Sequence, residues 1–194
     1  MTLFWLKGYN ATSLKDLEEA LKMRPGSIYA AFQSKEALFL AALELYAGRM
    51  RTELAATIAN APSTLTALRT YLVSLGGLDR CDKPSTACML VKSLLEIQTD
   101  HPALRRVVVD HLNTILTLLE DGFAKARAAG ELPPDADPAR LAKRMQTYVF
   151  GLKIQAQRET DPLALQLLAQ DLADEISAHR QTATALHHQG LSPA

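Results

Sequence analysis

Apolar side chains recur at helical spacing along most of the chain. The longest run extends from Leu104 to Phe123, where apolar residues stand three or four positions apart over about five turns. This spacing places them on one face of an amphipathic helix. The regular alternation of apolar and polar residues that indicates a half-buried strand is missing from the sequence. The pattern therefore predicts an all-α protein.

Prolines and capping residues divide this pattern into about nine helices. Asp137-Pro138 and Asp161-Pro162 each place an N-cap residue before a proline, whose missing N–H costs nothing in the first helical turn. Gly130 is well placed to end the long helix before it. The predicted helices span residues 1–7, 13–21, 25–32, 34–58, 63–79, 84–99, 103–129, 138–158 and 162–186, and the tail after them loses the periodicity.

The lengths of these helices change near residue 46. The first three are short and closely spaced, whereas the later ones are long and amphipathic. We therefore predict a small three-helix domain over residues 1–46 and a larger helical domain over residues 47–194. The sequence contains no internal repeat that would suggest a further division.

Bulk charge identifies no partner for this protein. The 194 residues include 21 Lys and Arg and 21 Asp and Glu, so a nucleic-acid or membrane surface would need a local motif. No apolar run approaches the roughly 20 residues that cross a bilayer. The first residues also lack the basic segment and long apolar stretch of a signal peptide. We expect no membrane partner.

The sequence offers little support for an enzyme or a metal protein. Cys81 and Cys88 are too few for a disulfide framework and have no adjacent histidine cluster, so we expect two reduced, partly buried thiols, with a redox or metal role as the alternative. The motifs of serine hydrolases, zinc proteases, P-loop proteins and dinucleotide-binding folds are missing. Glu96, Asp100 and His101 lie together at a predicted helix end, where solvated polar residues are expected. We predict no catalytic activity, no cofactor and no bound metal.

Two short helices around a tight turn form the most informative local pattern. Ser13 and Asp16 have the spacing of a capping box, and residues 23–26 interrupt the helix before a second one begins. The predicted inner faces carry Leu14, Leu17 and Leu21 on the first helix and Ile28 and Phe32 on the second. This is the arrangement of a helix-turn-helix, in which the first helix supports the second in the major groove of DNA.

The outward face of the second helix combines polar side chains with small ones. It carries Arg24, Gly26, Ser27, Tyr29 and Ala30, with Gln33 and Lys35 just beyond. Hydroxyl groups and cations suit phosphate and base-edge contacts, and small residues permit close approach to a duplex. However, any small helical hairpin has a polar outer surface, and residues 1–50 hold six basic and five acidic side chains. Spacing alone leaves both interpretations open.

A longer ordered pattern runs through the same region. It consists of FWLKGYNATS at residues 4–13, Leu17, SIYAAF at residues 27–32 and SKEAL at residues 34–38. This pattern resembles the amino-terminal domain of TetR-type bacterial transcriptional regulators and is much more specific than a bare helix-turn-helix. The resemblance implies a DNA-binding regulator, a ligand-responsive repressor in the first instance, that binds a palindromic operator as a dimer in the cytoplasm. It does not choose between repression and activation.

The resemblance also assigns roles to individual residues. It implies phosphate contacts for Thr12 and Ser13 at the start of the second helix, for the Tyr29 hydroxyl, and for Lys35 at the start of the fourth helix. The residues that it implies present the reading helix to double-stranded DNA are Arg24, Pro25, Gly26, Ser27 and Ala30.

The chain departs from the family pattern in two places. Only seven residues precede Gly8, whereas the family's first helix is usually longer and follows a basic arm. The alternative function is therefore a helical ligand-binding dimer that has lost DNA binding through truncation of its first helix. Lys22 stands where many relatives have glycine, so we expect a slightly strained backbone there.

The resemblance places a homodimer interface on the last two long helices. Candidate interface residues are Leu141, Met145, Tyr148, Leu152, Leu165, Leu168 and Leu172. The alternative is that these side chains form the core of a single chain. A pocket for an unidentified small-molecule effector would lie among the preceding helices, and its candidates are Tyr71, Leu75, Met89, Leu94, His111 and Phe150. Each of these is also a plausible core residue.

Overall fold

The computed structural model describes residues 1–77, 85, 87–97 and 101–177 of the chain. Within these residues the regular structure is entirely helical, which confirms the predicted all-α class and the number of helices. The helices are α1 (Thr2–Lys7), α2 (Leu14–Leu21), α3 (Pro25–Phe32), α4 (Lys35–Asn60), α5 (Thr64–Gly76), α6 (Met89–Glu96), α7 (Pro102–Ala128), α8 (Pro138–Arg158) and α9 (Pro162–Ser177).

The predicted capping residues of the long helices are confirmed. The Asp137 carboxylate accepts hydrogen bonds from the backbone N–H groups of Ala139 and Arg140 at the start of α8. At the end of α7, Gly130 adopts a positive φ of 74°. Its N–H donates to the Arg127 carbonyl, and the next N–H along the chain donates to the Ala126 carbonyl. This pair of bonds satisfies the last carbonyl groups of the helix in a Schellman motif.

α6 is shorter than the predicted helix over residues 84–99. The backbone of Cys88 is extended before the helix, and that of Ile97 is extended after it. Ahead of α6, the Ser85 hydroxyl accepts a hydrogen bond from the Ala87 N–H, and the Ala87 carbonyl accepts one from the Trp5 indole. These turn contacts replace the helical bonds that the apolar periodicity predicted. The predicted part of the last helix after residue 177 and the predicted fraying tail lie outside the described residues.

Spatial contacts divide the chain into two compact units. The first consists of residues 1–52 and 79–114, and the second of residues 53–78 and 115–194. The division into domains at residue 46 stays a prediction.

The core of the first unit is rich in aromatic rings that anchor α1. The rings of Phe4 and Phe39 meet edge to face with their centroids 5.1 Å apart, and those of Trp5 and Tyr46 do so at 5.0 Å. Tyr9, which follows α1, also packs against Phe39, at 4.9 Å. Such aromatic pairs are worth about 0.5–1.5 kcal/mol each beyond the area they bury. They explain how a helix of six residues is held firmly on α4.

The core of the second unit forms where α5, α8 and α9 pack against one another. α7 adds Leu119 and Phe123 to the same cluster of buried side chains. Gly76 of α5 lies so close to α9 that a Cβ atom there would be 2.9 Å from the Ala169 Cβ and the Gln166 Cα. The missing side chain at residue 76 thus allows the two helix backbones to approach closely.

The described residues also bear on the chemistry expected from the sequence. None of the helices in this part of the chain is long and apolar enough to span a bilayer. Among the same residues, no group of three His, Cys, Asp or Glu side chains is arranged to hold a metal ion. Cys88 is a buried free thiol, and Cys81 lies outside the described residues.

Candidate nucleic-acid interface

The start of α2 is fixed by the predicted capping box. The Ser13 hydroxyl accepts a hydrogen bond from the Asp16 N–H at 3.1 Å, and the Asp16 carboxylate accepts one from the Ser13 N–H at 2.8 Å. Lys7 approaches the same carboxylate at 2.7 Å. The hydrogen bond from the Lys7 ammonium, followed by the one from the Ser13 N–H, holds the pKa of the Asp16 carboxyl well below its usual range.

The turn between α2 and α3 contains the expected strained position. Lys22 follows α2 with φ 53° and ψ 38°, which is the left-handed conformation that glycine adopts most easily. The backbone of Arg24 is then extended, and Pro25 occupies the first turn of α3, where its missing N–H has no helical partner to lose. The two helices are therefore separated by a turn of helix-turn-helix length.

α3 presents most of the predicted contact residues to solvent. Ile28 is 2 % exposed and fixes the inner face of the helix, whereas the Tyr29 side chain is 45 % exposed. The other exposed residues around the outer face are Arg24, Pro25, Gly26, Ser27 and Ala30. This surface combines a cation, two hydroxyl groups and two small residues, so it can approach a polyanion closely and donate hydrogen bonds to it.

Thr12 lies elsewhere, and its predicted phosphate contact needs a correction. Its side chain is completely buried, and its hydroxyl donates a hydrogen bond to the Gly8 carbonyl at 2.6 Å. The hydroxyl therefore stabilises the turn after α1 and does not reach the surface that holds Ser13. The predicted inner-face residues also differ, because Phe32 is only half-buried and Leu21 is 38 % exposed.

Lys35 begins α4 as predicted and lies partly against an aromatic ring. Its ammonium is 4.6 Å from the centroid of the Tyr9 ring, a distance at which a cation is attracted to the ring face. Burial lowers the pKa of this ammonium, and the nearby Glu96 and Asp16 carboxylates partly oppose the shift. The position of Lys35 is thus tied to the turn after α1.

The predicted effector-pocket residues are divided between the two units. Met89, Leu94 and His111 belong to the first unit, and Tyr71, Leu75 and Phe150 to the second. Tyr71 and Leu75 are buried in the core, while Phe150 packs partly buried against it. A separate open pocket of about 240 Å³ is lined by none of these residues; its lining is Pro133, Asp135, Ala136, Asp137, Arg140, Leu141 and Arg144.

His111 has a polar neighbour that the sequence did not predict. Its Nε2 lies 3.6 Å from the Glu44 carboxylate, which also accepts a hydrogen bond from Arg51. Burial lowers the pKa of the His111 imidazole, and the Glu44 charge partly opposes this. The His111 side chain thus belongs to a cluster of polar side chains, with Glu44 and Arg51, that links α7 to α4 inside the first unit.

Four of the predicted interface residues are core residues of their own chain. Leu141, Met145, Leu152 and Leu165 are buried because α5, α8 and α9 pack against one another at these positions. Tyr148, Leu168 and Leu172 are only partly buried and border this core. The apolar periodicity identified these faces correctly as buried but could not separate the two causes of burial.

Other side chains of α8 and α9 are both apolar and exposed. Ile154, Leu163 and Leu167 are 55 %, 59 % and 57 % exposed. Tyr148 of α8 is partly buried. Its hydroxyl donates a hydrogen bond to the Glu175 carboxylate at 2.5 Å and accepts one from Arg144 at 2.7 Å. The interface candidates predicted from the sequence did not include these three residues, because they fall outside the main apolar stripe of each helix.

Glu96 is the functional candidate that sequence analysis assigned incorrectly. Its place at a predicted helix end predicts a solvated side chain, but Glu96 is half-buried and its carboxylate accepts hydrogen bonds from the N–H groups of Tyr9 and Asn10, at 3.1 and 2.5 Å. His101 also packs against the Tyr9 ring in an edge-to-face arrangement, and Asp100 lies outside the described residues. No local pattern predicts contacts between residues so far apart in the chain.

Two family models match this chain. The model described as "Bacterial regulatory proteins, tetR family" matches residues 1–42. The model described as "Tetracyclin repressor-like, C-terminal domain" matches residues 64–172, which is more than half of the sequence. The chain belongs to the TetR family of bacterial regulatory proteins. This confirms the resemblance that the amino-terminal pattern suggested.

Relatives and solved structures agree with this membership. The chain is 28 % identical to the HTH-type transcriptional repressor ComR of Escherichia coli over 157 residues, 80 % of this chain and 75 % of ComR. A cysteine mutant of the TetR family regulator CifR, solved with 26-bp operator DNA, superposes with a TM-score of 0.82 at 28 % identity, over 89 % and 90 % of the chains. A TetR-family regulator from Cytophaga hutchinsonii also gives 0.82, at 27 % identity over 92 % and 89 %. The protein is thus a TetR-family transcriptional regulator.

Proposed function

We propose that this TetR-family regulator binds double-stranded DNA by placing α3 in the major groove. The observation that carries the proposal is the pairing of a buried Ile28 with an exposed polar face on the same short helix. α2 packs against α3 and supports it from behind, as a helix-turn-helix requires. The operator DNA held by the CifR structure supports the same use of this fold.

The exposed residues of this region have complementary roles in the proposed complex. Ser13 and Lys35 contact phosphates at either side of α3, and the Tyr29 hydroxyl contacts a third phosphate. Arg24 and Ser27 reach base edges, since guanidinium and hydroxyl groups can donate to acceptors in the major groove. Thr12 is left out of the contact set because its side chain is buried. Pro25, Gly26 and Ala30 keep the surface low enough for close approach.

A contrast between two substitutions tests these roles. Tyr29→Ala is expected to weaken binding to every duplex by a similar factor, because a phosphate contact carries no base information. Arg24→Ala is expected to cost about 1–3 kcal/mol and to relax the preference at one base position. Affinities measured on operator variants at fixed salt separate the two patterns.

Leu45→Ala, at an exposed position of α4 outside this surface, serves as the control and should bind like the parent. Equal affinity of Tyr29→Ala and the parent would remove Tyr29 from the proposed contact set.

We also propose that two copies act together on a palindromic operator. One short helix contacts too few base pairs to select a site, and a symmetric pair doubles the contacts. The proposed dimer surface consists of Ile154, Leu163 and Leu167 together with the partly buried Tyr148, Leu168 and Leu172. Exposed apolar side chains on adjacent helices are typical of a surface that is covered by a partner.

Leu167→Glu is expected to convert the dimer to a monomer. A leucine lost from an interface costs about 1.5–3 kcal/mol, and symmetry counts this loss twice. Because Leu167 is 57 % exposed in the single chain, the substitution should leave the fold intact. Mass measured by light scattering after size exclusion reports the change. The matched control is Leu95→Glu, 77 % exposed on α6; a dimer that survives Leu167→Glu would contradict this interface.

The proposed regulator is a repressor that responds to a small molecule in the cytoplasm, where bacterial DNA lies. The relative ComR carries the name of a repressor, which supports this direction of control. An effector that binds better to the conformation unsuited to DNA lowers operator affinity by thermodynamic linkage. The predicted pocket residues stay proposals for where that effector binds.

Selection of bound sequences from random duplexes tests the function directly. We expect the protein to enrich one palindromic motif, because two α3 helices related by a two-fold axis would contact two identical half-sites. Enrichment of no sequence above the input would overturn the proposed DNA-binding function.

A further inference from the structure

Two charged residues of α6 contact the turn that joins α1 to α2. Lys92 and Glu96 are four positions apart, so they lie on the same face of α6. The Lys92 ammonium donates hydrogen bonds to the carbonyls of Trp5 at 3.1 Å and Leu6 at 2.5 Å. The Glu96 carboxylate accepts hydrogen bonds from the backbone N–H groups of Tyr9 and Asn10, which follow α1. We call this pair of residues the α6 clamp.

The charges of the α6 clamp match the polarity of the backbone groups they meet. The last carbonyl groups of a helix have no helical donors and carry partial negative charge, which suits the ammonium of Lys92. The N–H groups of Tyr9 and Asn10 come after α1, and a carboxylate is a strong acceptor for two such donors at once. With the two charges exchanged, a carboxylate would face the α1 carbonyl oxygens and an ammonium would face the N–H groups of Tyr9 and Asn10, and both contacts would be repulsive.

The turn itself is fitted to the clamp at Gly8. This residue has φ 86° and ψ 174°, a conformation that is essentially restricted to glycine. A Cβ atom at Gly8 would also occupy the space that the Glu96 carboxylate fills. Both the backbone conformation and the close approach of Glu96 thus require a glycine at residue 8. This requirement is independent evidence, beside the hydrogen bonds, that the turn and Glu96 fit each other.

Contacts through α2 connect this turn to α3, the proposed DNA-reading helix. The hydroxyl of the buried Thr12 donates a hydrogen bond to the Gly8 carbonyl just before α2 begins, and Lys7 pairs with Asp16 in the first turn of α2. α2 in turn packs against α3. Trp5, at the other side of the turn, donates its indole N–H to Ala87 ahead of α6 at 2.7 Å. A shift of the turn relative to α6 would therefore move α2, and with it α3.

We propose that Lys92 and Glu96 are positioning residues for DNA binding, which hold α3 in the orientation that fits a duplex without touching DNA themselves. This proposal rests on the proposed DNA-binding function. It assigns to α6 a polar contact with the amino-terminal helices that the family pattern at residues 4–38 does not contain.

The test compares the clamp variants Lys92→Met and Glu96→Ala with the parent on the selected operator duplex. Each is expected to weaken binding about tenfold, within the range usual for coupling between distant sites. Lys92→Arg keeps a donor for the α1 carbonyls and should restore most of the affinity. Arg105→Met is the matched control. Arg105 donates hydrogen bonds to the carbonyl of Leu94 in α6 and to that of Ile97 directly after it, so this variant removes a contact near α6 that does not reach the turn after α1. Its affinity is expected to stay within twofold of the parent.

Two readouts separate positioning from a general loss of structure. Affinities are measured well below the unfolding temperature of each variant, where a merely structural role leaves the Kd of the folded protein unchanged. Amide hydrogen exchange at Tyr9 and Asn10 should accelerate in Glu96→Ala and remain slow in Arg105→Met, since only the first removes their acceptor.

Each outcome of this experiment has a definite meaning. Weaker operator binding by the clamp variants alone, with rescue by Lys92→Arg, supports the proposal. Equal Kd values for the parent, Lys92→Met and Glu96→Ala overturn it while the DNA-binding function stands. A parent protein that binds no duplex overturns the proposed function, and the positioning role falls with it whatever the exchange rates are.

Discussion

Phe39→Ala is expected to lower the free energy of unfolding of the first unit by about 3–5 kcal/mol. Phe39 is completely buried, and its ring contacts both Phe4 of α1 and Tyr9 of the following turn. Removing the ring leaves a cavity at the point where α1 is held on α4, and a short helix has few other contacts with which to compensate. Urea unfolding followed by tryptophan fluorescence measures the loss, because Trp5 is the single tryptophan and belongs to this unit.

Two further variants show whether this loss comes from the buried ring. Phe39→Leu keeps most of the volume and should cost clearly less than Phe39→Ala. Leu45→Ala, at a position of α4 that is 48 % exposed, should change the free energy of unfolding by less than about 1 kcal/mol. Similar losses for Phe39→Ala and Leu45→Ala would contradict the view that this aromatic cluster anchors α1.

Gly8→Ala is expected to destabilise the first unit by about 2–4 kcal/mol. Two costs combine in this substitution. The backbone at φ 86° and ψ 174° becomes strained with any side chain, and the new methyl group displaces the Glu96 carboxylate from the N–H groups of Tyr9 and Asn10. The midpoint of urea unfolding should fall accordingly, and amide exchange at Tyr9 and Asn10 should accelerate.

The double variant Gly8→Ala with Glu96→Ala distinguishes the two costs. It relieves the collision with the carboxylate but leaves the backbone strain and the unpaired N–H groups, so the stability should remain low. Gly26→Ala is the matched control, because a Cβ atom there meets nothing within 4 Å and alanine favours a helix. Full recovery in the double variant would show that steric contact with Glu96 was the whole effect.

Features that depend on neighbouring residues in sequence were largely predictable. The Ser13 capping box, the Asp137 cap and the Gly130 helix end are local, and each is present as predicted. The strained Lys22 is local in the same sense, because the turn directly after α2 adopts left-handed backbone although its residue there is not glycine. Helical periodicity likewise identified the all-α class, because a repeating apolar face indicates a helix independently of what covers it.

Features that depend on distant contacts were not predictable from the sequence. α6 ends early because the backbone at Ile97 is extended. Ahead of α6, the Ala87 carbonyl accepts a hydrogen bond from the indole of Trp5, which is far from it in the sequence. Thr12 has the residue type of a phosphate ligand, yet its hydroxyl is used within the turn. Glu96 looked solvated because its donors lie more than eighty positions away. In each case a partner remote in sequence decides the role of the side chain.

The close approach of α5 and α9 at Gly76 has a consequence for the surface of α9. A methyl group at residue 76 would meet both the Ala169 side chain and the α9 backbone at Gln166, so shortening one side chain could not make enough room. The backbone of α9 would have to shift relative to α5 at this contact, and Leu163 and Leu167 lie on the same helix. The absence of a side chain at residue 76 thus helps to fix the positions of two exposed leucines, both of which belong to the proposed dimer surface.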